Sequence, residues 1–342
     1  MGNSRQSQVT ARLWSWYLKQ GRRLPWRVAP GDQPPSDHAY RVLVSEIMLQ
    51  QTTVATVLSR YGPFLEKFPN IQSLARASAD EVRDAWAGLG YYRRAGLLQA
   101  CARAVVLDHG GAFPRQAAQL IKLPGLGPYT SAAIASICFG EAIMPMDGNI
   151  ERVLARLEAF DEPLPKGAGT LRKLAQAYVM GAKTGHLAQA FMDLSARHCG
   201  ANSTDCPSCP LQDLCPVQGP GALGLPLKQA KKPPEEVTWH LLVTHDHTHV
   251  VLERRSEGGI MAGMLGFPVV DVPPLGSDYA GSITHRLTHR LITAHVHLQH
   301  MDNNMGGTEG RITMDRDEHT LKQLPTLMRK AAERSGLFTR QS

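Results

Sequence analysis

The sequence predicts a multidomain protein in which an all-α domain is followed by a smaller α+β domain. Helical patterning fills most of residues 8–200. Residues 216–236 are rich in Pro, Gly and Lys, a composition typical of a linker. Beyond this stretch, β-branched residues alternate or run between turn signals, as they do in strands. We therefore expect one domain at 1–217, a linker at 218–236 and a second domain at 237–342.

The individual elements follow from apolar periodicity and from start and stop signals. The first predicted helix, 9–20, ends at Gly21, and Asp37 is placed to cap a long helix that runs to about Arg60. Their number and short connections favour an all-α domain. Further helices are predicted at 71–77, 79–88, 93–109, 115–121, 130–139, 150–160, 169–180, 187–198 and 321–335, and strands at 237–244, 249–255, 267–272 and 293–300.

The stretch 123–149, LPGLGPYTSAAIASICFGEAIMPMDGN, organises the first domain. Gly125 and Gly127 allow a positive φ and close backbone approach, and Thr130 is placed to cap the helix that follows. With a short helix over 114–123, the unit is helix–hairpin–helix. A helix N-terminus behind a glycine turn presents free N–H groups that bind phosphate. The alternative is an ordinary helical turn that contains two glycines.

The charge of the chain is unevenly distributed. Its 37 Lys+Arg exceed its 30 Asp+Glu by 7; residues 1–217 carry 23 and 17 of them, and residues 218–342 carry 14 and 13. A basic first domain suits a polyanionic partner such as nucleic acid. The first residues, MGNSRQSQVTARLW, lack the apolar core of a signal peptide, and no run reaches membrane-spanning length. We expect an intracellular, cytoplasmic protein with no membrane partner.

Four of the six cysteines fall within seventeen residues, in the spacing C-x6-C-x2-C-x5-C. Disulfides are not expected without an export signal. Four thiolates this close indicate a metal, either tetrahedral zinc or an iron–sulfur cluster. Zinc sites more often use two CxxC pairs, whereas the longer loops here favour a [4Fe–4S] cluster. The predicted ligands are Cys199, Cys206, Cys209 and Cys215.

Two carboxylates stand out from their surroundings. Glu46 lies in RVLVSEIMLQQTTV, where apolar neighbours raise the pKa of a carboxyl and keep it protonated near neutrality; a helix-surface acid is the alternative. Asp147 lies in a polar Met-Asp-Gly-Asn turn, where hydrogen bonds keep it ionised, and is also placed to cap the helix from Ile150. One protonated and one ionised carboxyl is the pair that glycosidic bond cleavage needs.

Several stretches along the first domain carry a family resemblance. They are LPWR (24–27), SEIMLQQT (45–52), GLGYYRRA (88–95), LPGLGPYTSAAI (123–134), MDGNIERVLAR (146–156) and the four-cysteine segment. Together they resemble the helix–hairpin–helix DNA glycosylases of the endonuclease III superfamily, and within it the MutY adenine DNA glycosylases. The resemblance implies an active site between a six-helix barrel and a cluster-bearing domain, with the hairpin of Gly125 and Gly127 on the DNA backbone.

The resemblance also implies roles for single residues. Glu46 matches the general acid that protonates adenine N7 and later activates water, and Asp147 matches the carboxylate that stabilises the sugar cation. Tyr129 and Asn149 match groups that assist around the same sugar. The residues that probe and wedge at the 8-oxoguanine opposite the flipped adenine are matched by Gln51, Thr52, Leu89 and Tyr91.

Position 129 separates two subfamilies of the superfamily. Endonuclease III-like enzymes carry a lysine there, whose amine forms a Schiff base with the sugar and cleaves the strand. A tyrosine cannot do this. Tyr129 therefore implies monofunctional base removal.

The second domain resembles the Nudix-like C-terminal domain of MutY proteins, which senses 8-oxoguanine. GGIMAGMLGFP (258–268) matches its glycine-rich strand segment, and HRLTHRLITAHVH (285–297) matches its His-x-Phe-Ser-His region. Leu-Thr-His replaces Phe-Ser-His there, so Thr288 keeps the hydroxyl that contacts the lesion. The acidic REx2EE pattern is absent from the sequence, and we expect no nucleotide hydrolysis by this domain.

Histidines are concentrated in the second domain, where ten of the fourteen follow residue 239. Strand spacing could set His245, His247 and His249 on one face for a metal. We favour a hairpin tip at 246–248 with solvated histidines.

The sequence is thus interpreted as a base-excision adenine DNA glycosylase. Its expected substrate is duplex DNA with adenine opposite 8-oxoguanine or G, and its expected state is a monomer. One alternative is a bifunctional glycosylase and lyase for oxidised pyrimidines. Another is a non-catalytic DNA-binding protein that keeps the scaffold as a redox-sensing regulator.

Overall fold

A computed structural model of the protein describes residues 4–229, 233–256, 259–261, 263–287, 289–301 and 310–338. The chain divides into two compact units, Met1–Gln229 and Ala230–Ser342. The division falls within the predicted linker, and each unit is described by itself. Over the described ranges, every helix is too short or too polar to cross a membrane.

The first unit is helical, as the sequence predicts. The predicted helix at 93–109 matches the observed one at both ends. Its C-terminal end is closed by Gly110, which has a left-handed φ of +61°. The α-helices of this unit are α1 Arg5–Gln20, α2 His38–Leu49, α3 Val54–Lys67, α4 Ile71–Arg76, α5 Ala79–Ala85, α6 Arg93–His109, α7 Ala117–Leu120, α8 Pro128–Phe139, α9 Gly148–Leu157, α10 Ala168–Ala175, α11 Thr184–Arg197 and α12 Pro220–Leu223.

The predicted long helix from Asp37 to about Arg60 is wrong. It is two helices, α2 and α3, separated at Gln50–Thr53, where Gln51 has a φ of +56° that no right-handed helix contains. The side chain of Asp37 makes no capping bond to the α2 backbone. Its carboxylate instead accepts hydrogen bonds from Arg41 Nε at 2.8 Å.

Two apolar cores form within the first unit. One is built mainly from α2 to α8 and includes Leu43, Trp86 and Ile134. The other joins α1 to α9, α10 and α11. Helix α8 is buried along residues 130–136, as expected for a helix that is apolar or small on all sides. It meets α11 so closely that a Cβ on Gly185 would lie 2.5 Å from Ile137 Cα.

The second unit is a mixed sheet with two helices, which agrees with the predicted α+β class. Strands β5 and β7 were not predicted from the sequence. The sheet order is β3-β2-β1-β6-β5, with β4 paired to β1 and β7 paired to β2; β1 and β6 are parallel and the other pairs antiparallel. The elements are β1 Glu235–His245, β2 His249–Arg254, β3 Leu265–Gly266, β4 Val269–Val270, β5 Asp278–Arg286, β6 Arg290–His300, β7 Arg311–Asp315, α13 Glu318–Gln323 and α14 Thr326–Arg334.

The predicted helix at 321–335 is wrong as a single element. It is interrupted by Leu324 and Pro325, because a proline has no N–H to continue the helix. Helix α14 packs against β5 and β6 and closes the core of this unit.

The predicted hairpin tip at 246–248 is confirmed. Asp246 Oδ1 accepts the backbone N–H groups of Thr248 (2.7 Å) and His249 (2.6 Å). The histidines do not all face solvent, however, because His245 is buried beside His300. Over the described ranges no set of three or more His, Cys, Asp or Glu side chains has the arrangement of a site for one metal ion.

Candidate active site

A cavity of about 350 Å³ lies in the first unit, lined by helices from both of its cores. Its volume is within the range of sites that enclose a small ligand or base. Three carboxyl or phenol groups predicted from the sequence meet here: Glu46, Asp147 and Tyr129. The full lining is Arg22, Leu24, Trp26, Arg27, Val42, Ser45, Glu46, Leu49, Gln50, Thr52, Val54, Tyr129, Ile137, Asp147, Asn149, Gln189 and Met192.

Glu46 enters the cavity from the last turns of α2 and is only 8% exposed. Burial is the main cause that raises the pKa of its carboxyl to about 7, and the neighbouring Asp147 raises it further. A hydrogen bond with Tyr129 and the charge of Arg27 act in the opposite direction. A substantial fraction of Glu46 is therefore protonated at neutral pH and can give up a proton.

Tyr129 stands at the start of α8, which begins one residue earlier at Pro128. The prediction that Thr130 caps this helix is wrong: Gly127 is the N-cap, Pro128 occupies the first turn, and Thr130 is buried within the helix. Proline is suited to this position because its missing N–H would have no partner there. Burial, then the nearby Glu46 and Asp147, raise the pKa of Tyr129, so its hydroxyl stays protonated.

Asp147 is the N-cap of α9. Its Oδ1 accepts the backbone N–H groups of Asn149 (3.0 Å) and Ile150 (2.8 Å), and its Oδ2 accepts from Asn149 Nδ2 at 2.6 Å. The capping role foreseen in the sequence is confirmed. Protein donors therefore hold both carboxylate oxygens of Asp147, which lines the cavity.

Asn149 is itself held from the other side by Arg152, one turn along α9. Arg152 Nη2 donates to Asn149 Oδ1 at 2.9 Å and also to Ser195 Oγ, while Nε donates to the Cys199 carbonyl at 2.9 Å. This chain of bonds fixes the Asn149 amide so that its NH2 group points at Asp147.

Several polar side chains that line the cavity, or that pair with its lining residues, were not identified from the sequence. Asp193, on α11, is 2% exposed and pairs with Arg22 (2.5 Å) and Arg27 (2.8 Å). Gln189 accepts a hydrogen bond from Tyr17 at 2.7 Å, which leaves its NH2 group for the cavity. The signal that could have found Asp193 is the one that found Glu46: a lone acid among the apolar residues of a helix.

The hairpin ahead of α8 has one glycine in the left-handed region of backbone conformation. Gly125 has a φ of +76°, and a Cβ there would lie 2.8 Å from Leu97 Cβ. Gly127 differs from the prediction, because its φ of −89° is ordinary and no heavy atom lies within 4 Å of its Cβ position. The first N–H groups of α8 have no partner within the helix, so the hairpin presents donors at an open surface.

The residues predicted to contact the lesion lie in different environments in the structure. Thr52 lines the cavity. Gln51 is exposed, and Tyr91 is 60% exposed; both have positive φ, +56° and +47°. Leu89 is 4% exposed and packs into the core. Thr288 lies outside the described residues.

The four cysteines of the predicted cluster segment lie close together. Burial first, then the nearby Cys199, Cys206 and Cys215, raise the pKa of the Cys209 thiol to about 11. Gly219 N–H donates to Cys206 Sγ at 3.3 Å, and Arg156 Nη1 donates to Cys199 Sγ at 3.1 Å. Cysteine sulfurs packed against an apolar core and beside N–H donors, once deprotonated by a bound metal, are a donor set that suits an iron–sulfur cluster.

The cavity can therefore deliver a proton from Glu46, stabilise a cation with Asp147 and bind a planar group. Asp147 is fixed beside Asn149, and Trp26, Leu49 and Met192 supply apolar walls. A protonated carboxyl opposite a held carboxylate is the arrangement for cleaving a glycosidic bond.

Comparison with known proteins agrees with this chemistry. The family model described as "HhH-GPD superfamily base excision DNA repair protein" matches residues 44–178. The chain is similar to the "Adenine DNA glycosylase" of Homo sapiens, with 37% identity over 78% of this chain and 59% of the human one. It therefore spans about three fifths of that relative's length.

A bacterial relative and a solved structure are covered more fully. The "Adenine DNA glycosylase" of Buchnera aphidicola subsp. Acyrthosiphon pisum (strain APS) is 33% identical over 74% of this chain and 72% of its own. A solved "thermostable thymine-DNA glycosylase" is similar with 28% identity and a TM-score of 0.56; the match covers 63% of this chain and 96% of that one.

Proposed function

The chain belongs to the adenine DNA glycosylases, and we propose that it removes adenine from duplex DNA by hydrolysing the N-glycosidic bond. The observation that carries this proposal is the pairing of Glu46 and Asp147 in one cavity. The raised pKa of Glu46, about 7, supplies the acid, and the held carboxylate of Asp147 supplies the counter-charge.

Adenine must flip out of the DNA duplex to reach this cavity, because the cavity lies between helices of the two apolar cores of the first unit. The basic first part of the chain contacts phosphates, and the N–H groups at the start of α8 bind one of them. Within the cavity, the indole of Trp26 and the apolar side chains of Leu49 and Met192 cover the faces of the base. The free NH2 group of Gln189 and the two arginines bind acceptors on its edge.

The reaction begins when Glu46 protonates the base. Protonation weakens the N-glycosidic bond, because the departing adenine then leaves as a neutral molecule. Positive charge develops on the sugar, and Asp147 stabilises it from a position fixed by Asn149 and the α9 backbone. Glu46, now ionised, accepts a proton from the water that attacks the sugar.

The reaction stops at base removal. Tyr129 occupies the place where a Schiff-base lysine stands in endonuclease III-like enzymes, and its phenol stays protonated. A bifunctional lyase is therefore the weaker alternative. Borohydride trapping distinguishes the two, because only a Schiff base is reduced to a stable crosslink with DNA.

We further propose that Cys199, Cys206, Cys209 and Cys215 hold a [4Fe–4S] cluster. Their proximity and the N–H donors from Gly219 and Arg156 support this assignment. When bound, the cluster would crosslink the 199–215 loop, which contacts α9 where Arg156 donates to Cys199. In the same loop, the Cys199 carbonyl accepts a hydrogen bond from Arg152, and Arg152 in turn positions Asn149.

Recognition of 8-oxoguanine is the final part of the proposal. In the first unit, the exposed Gln51 and Tyr91 stand on neighbouring loops and contact the base opposite the flipped adenine. We propose that the second unit, whose mixed sheet fits a Nudix-like domain, takes part in this recognition. Its predicted contact, Thr288, stays a prediction.

The proposal is tested by incubating the protein with a duplex that contains one A opposite 8-oxoguanine and measuring free adenine by chromatography. We expect release by the wild type and loss of release in Asp147→Asn. DNA binding without release by the wild type would contradict the proposal and favour a non-catalytic regulator. A borohydride crosslink would instead favour the lyase.

A further inference from the structure

The break between α2 and α3 and the turn before α6 are held together by one buried side chain. Arg94, in the first turn of α6, is 8% exposed. Its guanidinium lies over the aromatic rings of Trp86 and Tyr91, whose centroids are 5.5 and 5.3 Å from the guanidinium carbon. Its Nη groups donate to the carbonyl oxygens of Ile47 (2.9 Å), Met48 (3.0 Å), Gln50, Leu89 (3.0 Å) and Gly90 (3.3 Å), and to Thr52 Oγ1 (3.1 Å).

Five of these six acceptors fall into two groups, and the sixth, Thr52, lies in the break between α2 and α3. Ile47, Met48 and Gln50 are at the C-terminal end of α2, whose last carbonyls have no partner within the helix and carry partial negative charge. Leu89 and Gly90 belong to the turn that precedes α6. The planar guanidinium with its divergent N–H groups spans both sets, which the single ammonium of a lysine cannot do.

The two segments that Arg94 joins each contain a strained residue. Gln51 and Tyr91 have φ of +56° and +47°, values that cost free energy for residues with a Cβ. Such conformations persist only where the surroundings fix them. Arg94 supplies side-chain bonds on both sides of Gln51, to Gln50 and Thr52, and on the N-terminal side of Tyr91, to Gly90.

We propose that Arg94 is the positioning residue that sets the preference for the lesion, by holding Gln51 and Tyr91 in one fixed arrangement against the base opposite the excised adenine. This inference rests on the proposed function. It concerns the choice of substrate. Arg94 does not itself line the cavity, although its partners Gln50 and Thr52 do, so the test compares two substrates.

The experiment compares single-turnover rates of adenine excision opposite 8-oxoguanine and opposite G, for the wild type, Arg94→Lys and Arg94→Met. We expect both substitutions to lower the ratio of the two rates at least tenfold, since displacements of about 1 Å cost up to a hundredfold in rate. The ratio is the informative readout. A shift of α2 that moved Glu46 would slow both substrates alike and leave the ratio unchanged.

Arg103→Met is the matched control. Arg103 lies on the same helix and also donates to backbone carbonyls, those of Ala75 (3.0 Å) and Ala77 (3.2 Å), but it holds the connection between α4 and α5. We expect this variant to keep the wild-type ratio. Where Arg94→Met does not fold, as measured by circular dichroism and thermal melting, Arg94→Lys carries the test.

The outcomes separate this inference from the proposed function. A wild type without adenine excision, or without a preference for 8-oxoguanine, overturns the proposed recognition itself. A wild type with the preference, together with folded Arg94 variants of unchanged ratio, overturns only the role of Arg94. An equal fall of the ratio in Arg103→Met would show a general loss of rigidity and would also overturn it.

Discussion

Asn149 Nδ2 lies 2.6 Å from Asp147 Oδ2, and the same aspartate accepts two backbone N–H groups through its other oxygen. Both carboxylate oxygens are thus bound from the protein side before any substrate arrives. In the proposed reaction, this pre-orientation means that the sugar cation meets a charge that needs no rearrangement, which is the main advantage of a preorganised site.

Replacing Asp147 by Asn removes this charge without removing the helix cap. The asparagine oxygen still accepts the backbone N–H groups of Asn149 and Ile150, so we expect the cap of α9 to persist. Its NH2 group faces Asn149 Nδ2, so the hydrogen bond between these two side chains is lost. The excision rate should fall by about 10³-fold or more, because the cation loses its counter-charge. Single-turnover kinetics at saturating protein measure this effect. A rate within a few-fold of wild type would refute the role of Asp147.

Glu46 should destabilise the protein at neutral and higher pH. Its pKa is about 7 in the folded protein and about 4.5 when exposed, so the folded state binds the proton more tightly between these values. The free energy of unfolding therefore decreases as pH rises through this window, by about 3 kcal/mol. Above it, Glu46→Gln should be more stable than wild type by this amount.

Urea unfolding of both proteins at pH 5 and pH 8 tests this expectation. The stabilisation by Glu46→Gln should be large at pH 8 and small at pH 5, while the variant loses excision at both. A difference in stability that is independent of pH would show that Glu46 is not a buried carboxyl of raised pKa.

Tyr129→Phe should move the pH dependence of excision to higher pH. The hydrogen bond from the Tyr129 hydroxyl lowers the pKa of Glu46, and phenylalanine removes that bond while keeping the ring. The alkaline limb of the rate profile should therefore shift upward, with a loss of less than about tenfold at pH 7. A shift to lower pH would mean that the phenol stabilises the protonated acid.

The two hairpin glycines should respond differently to alanine. Gly125→Ala places a Cβ at a φ of +76° and 2.8 Å from Leu97 Cβ, and should cost about 1–3 kcal/mol of stability. Gly127→Ala meets open space and should leave stability within about 0.5 kcal/mol. It should still weaken DNA binding, because the methyl group stands where a phosphate approaches.

Fluorescence anisotropy with lesion-free and lesion-containing duplexes measures this effect. Gly127→Ala should lose affinity for both to a similar extent, since a phosphate contact is independent of sequence. Unchanged binding by this variant would exclude the hairpin from the DNA interface.

The cluster assignment predicts about four iron atoms and matching acid-labile sulfide in each purified chain. Cys206→Ser should lower this content and weaken DNA binding while α2 and α8 keep Glu46 and Tyr129 in place. Metal analysis of anaerobically purified protein is the measurement. Stoichiometric zinc without sulfide would contradict the assignment.

The sequence singled out Glu46 and Asp147 because each lies in a local context that carries a physical signal, whereas their pairing in one site was implied by the family resemblance. Glu46 is a lone acid in an apolar helix, and Asp147 precedes a helix in a turn sequence that favours capping. The end of α6 was predictable from Gly110 for the same reason. Each of these signals depends only on neighbours within a few residues.

The errors arose where distant residues decide the local structure. The break after α2 contains Gln50 and Thr52, which accept hydrogen bonds from Arg94, more than forty residues later. Gln189 was missed because its burial beside Tyr17 appears only when α1 and α11 pack. Two other errors were avoidable, since Pro128 and Pro325 mark a helix start and a helix break in the sequence itself.

The most direct test of the account is a single-turnover assay on duplexes with one A opposite 8-oxoguanine, G or T, quenched with and without alkali. We predict strand breaks only after alkali, fastest for A opposite 8-oxoguanine. This result would establish monofunctional adenine removal with recognition of the lesion. Breaks without alkali, or no excision from any duplex that the protein binds, would contradict the account.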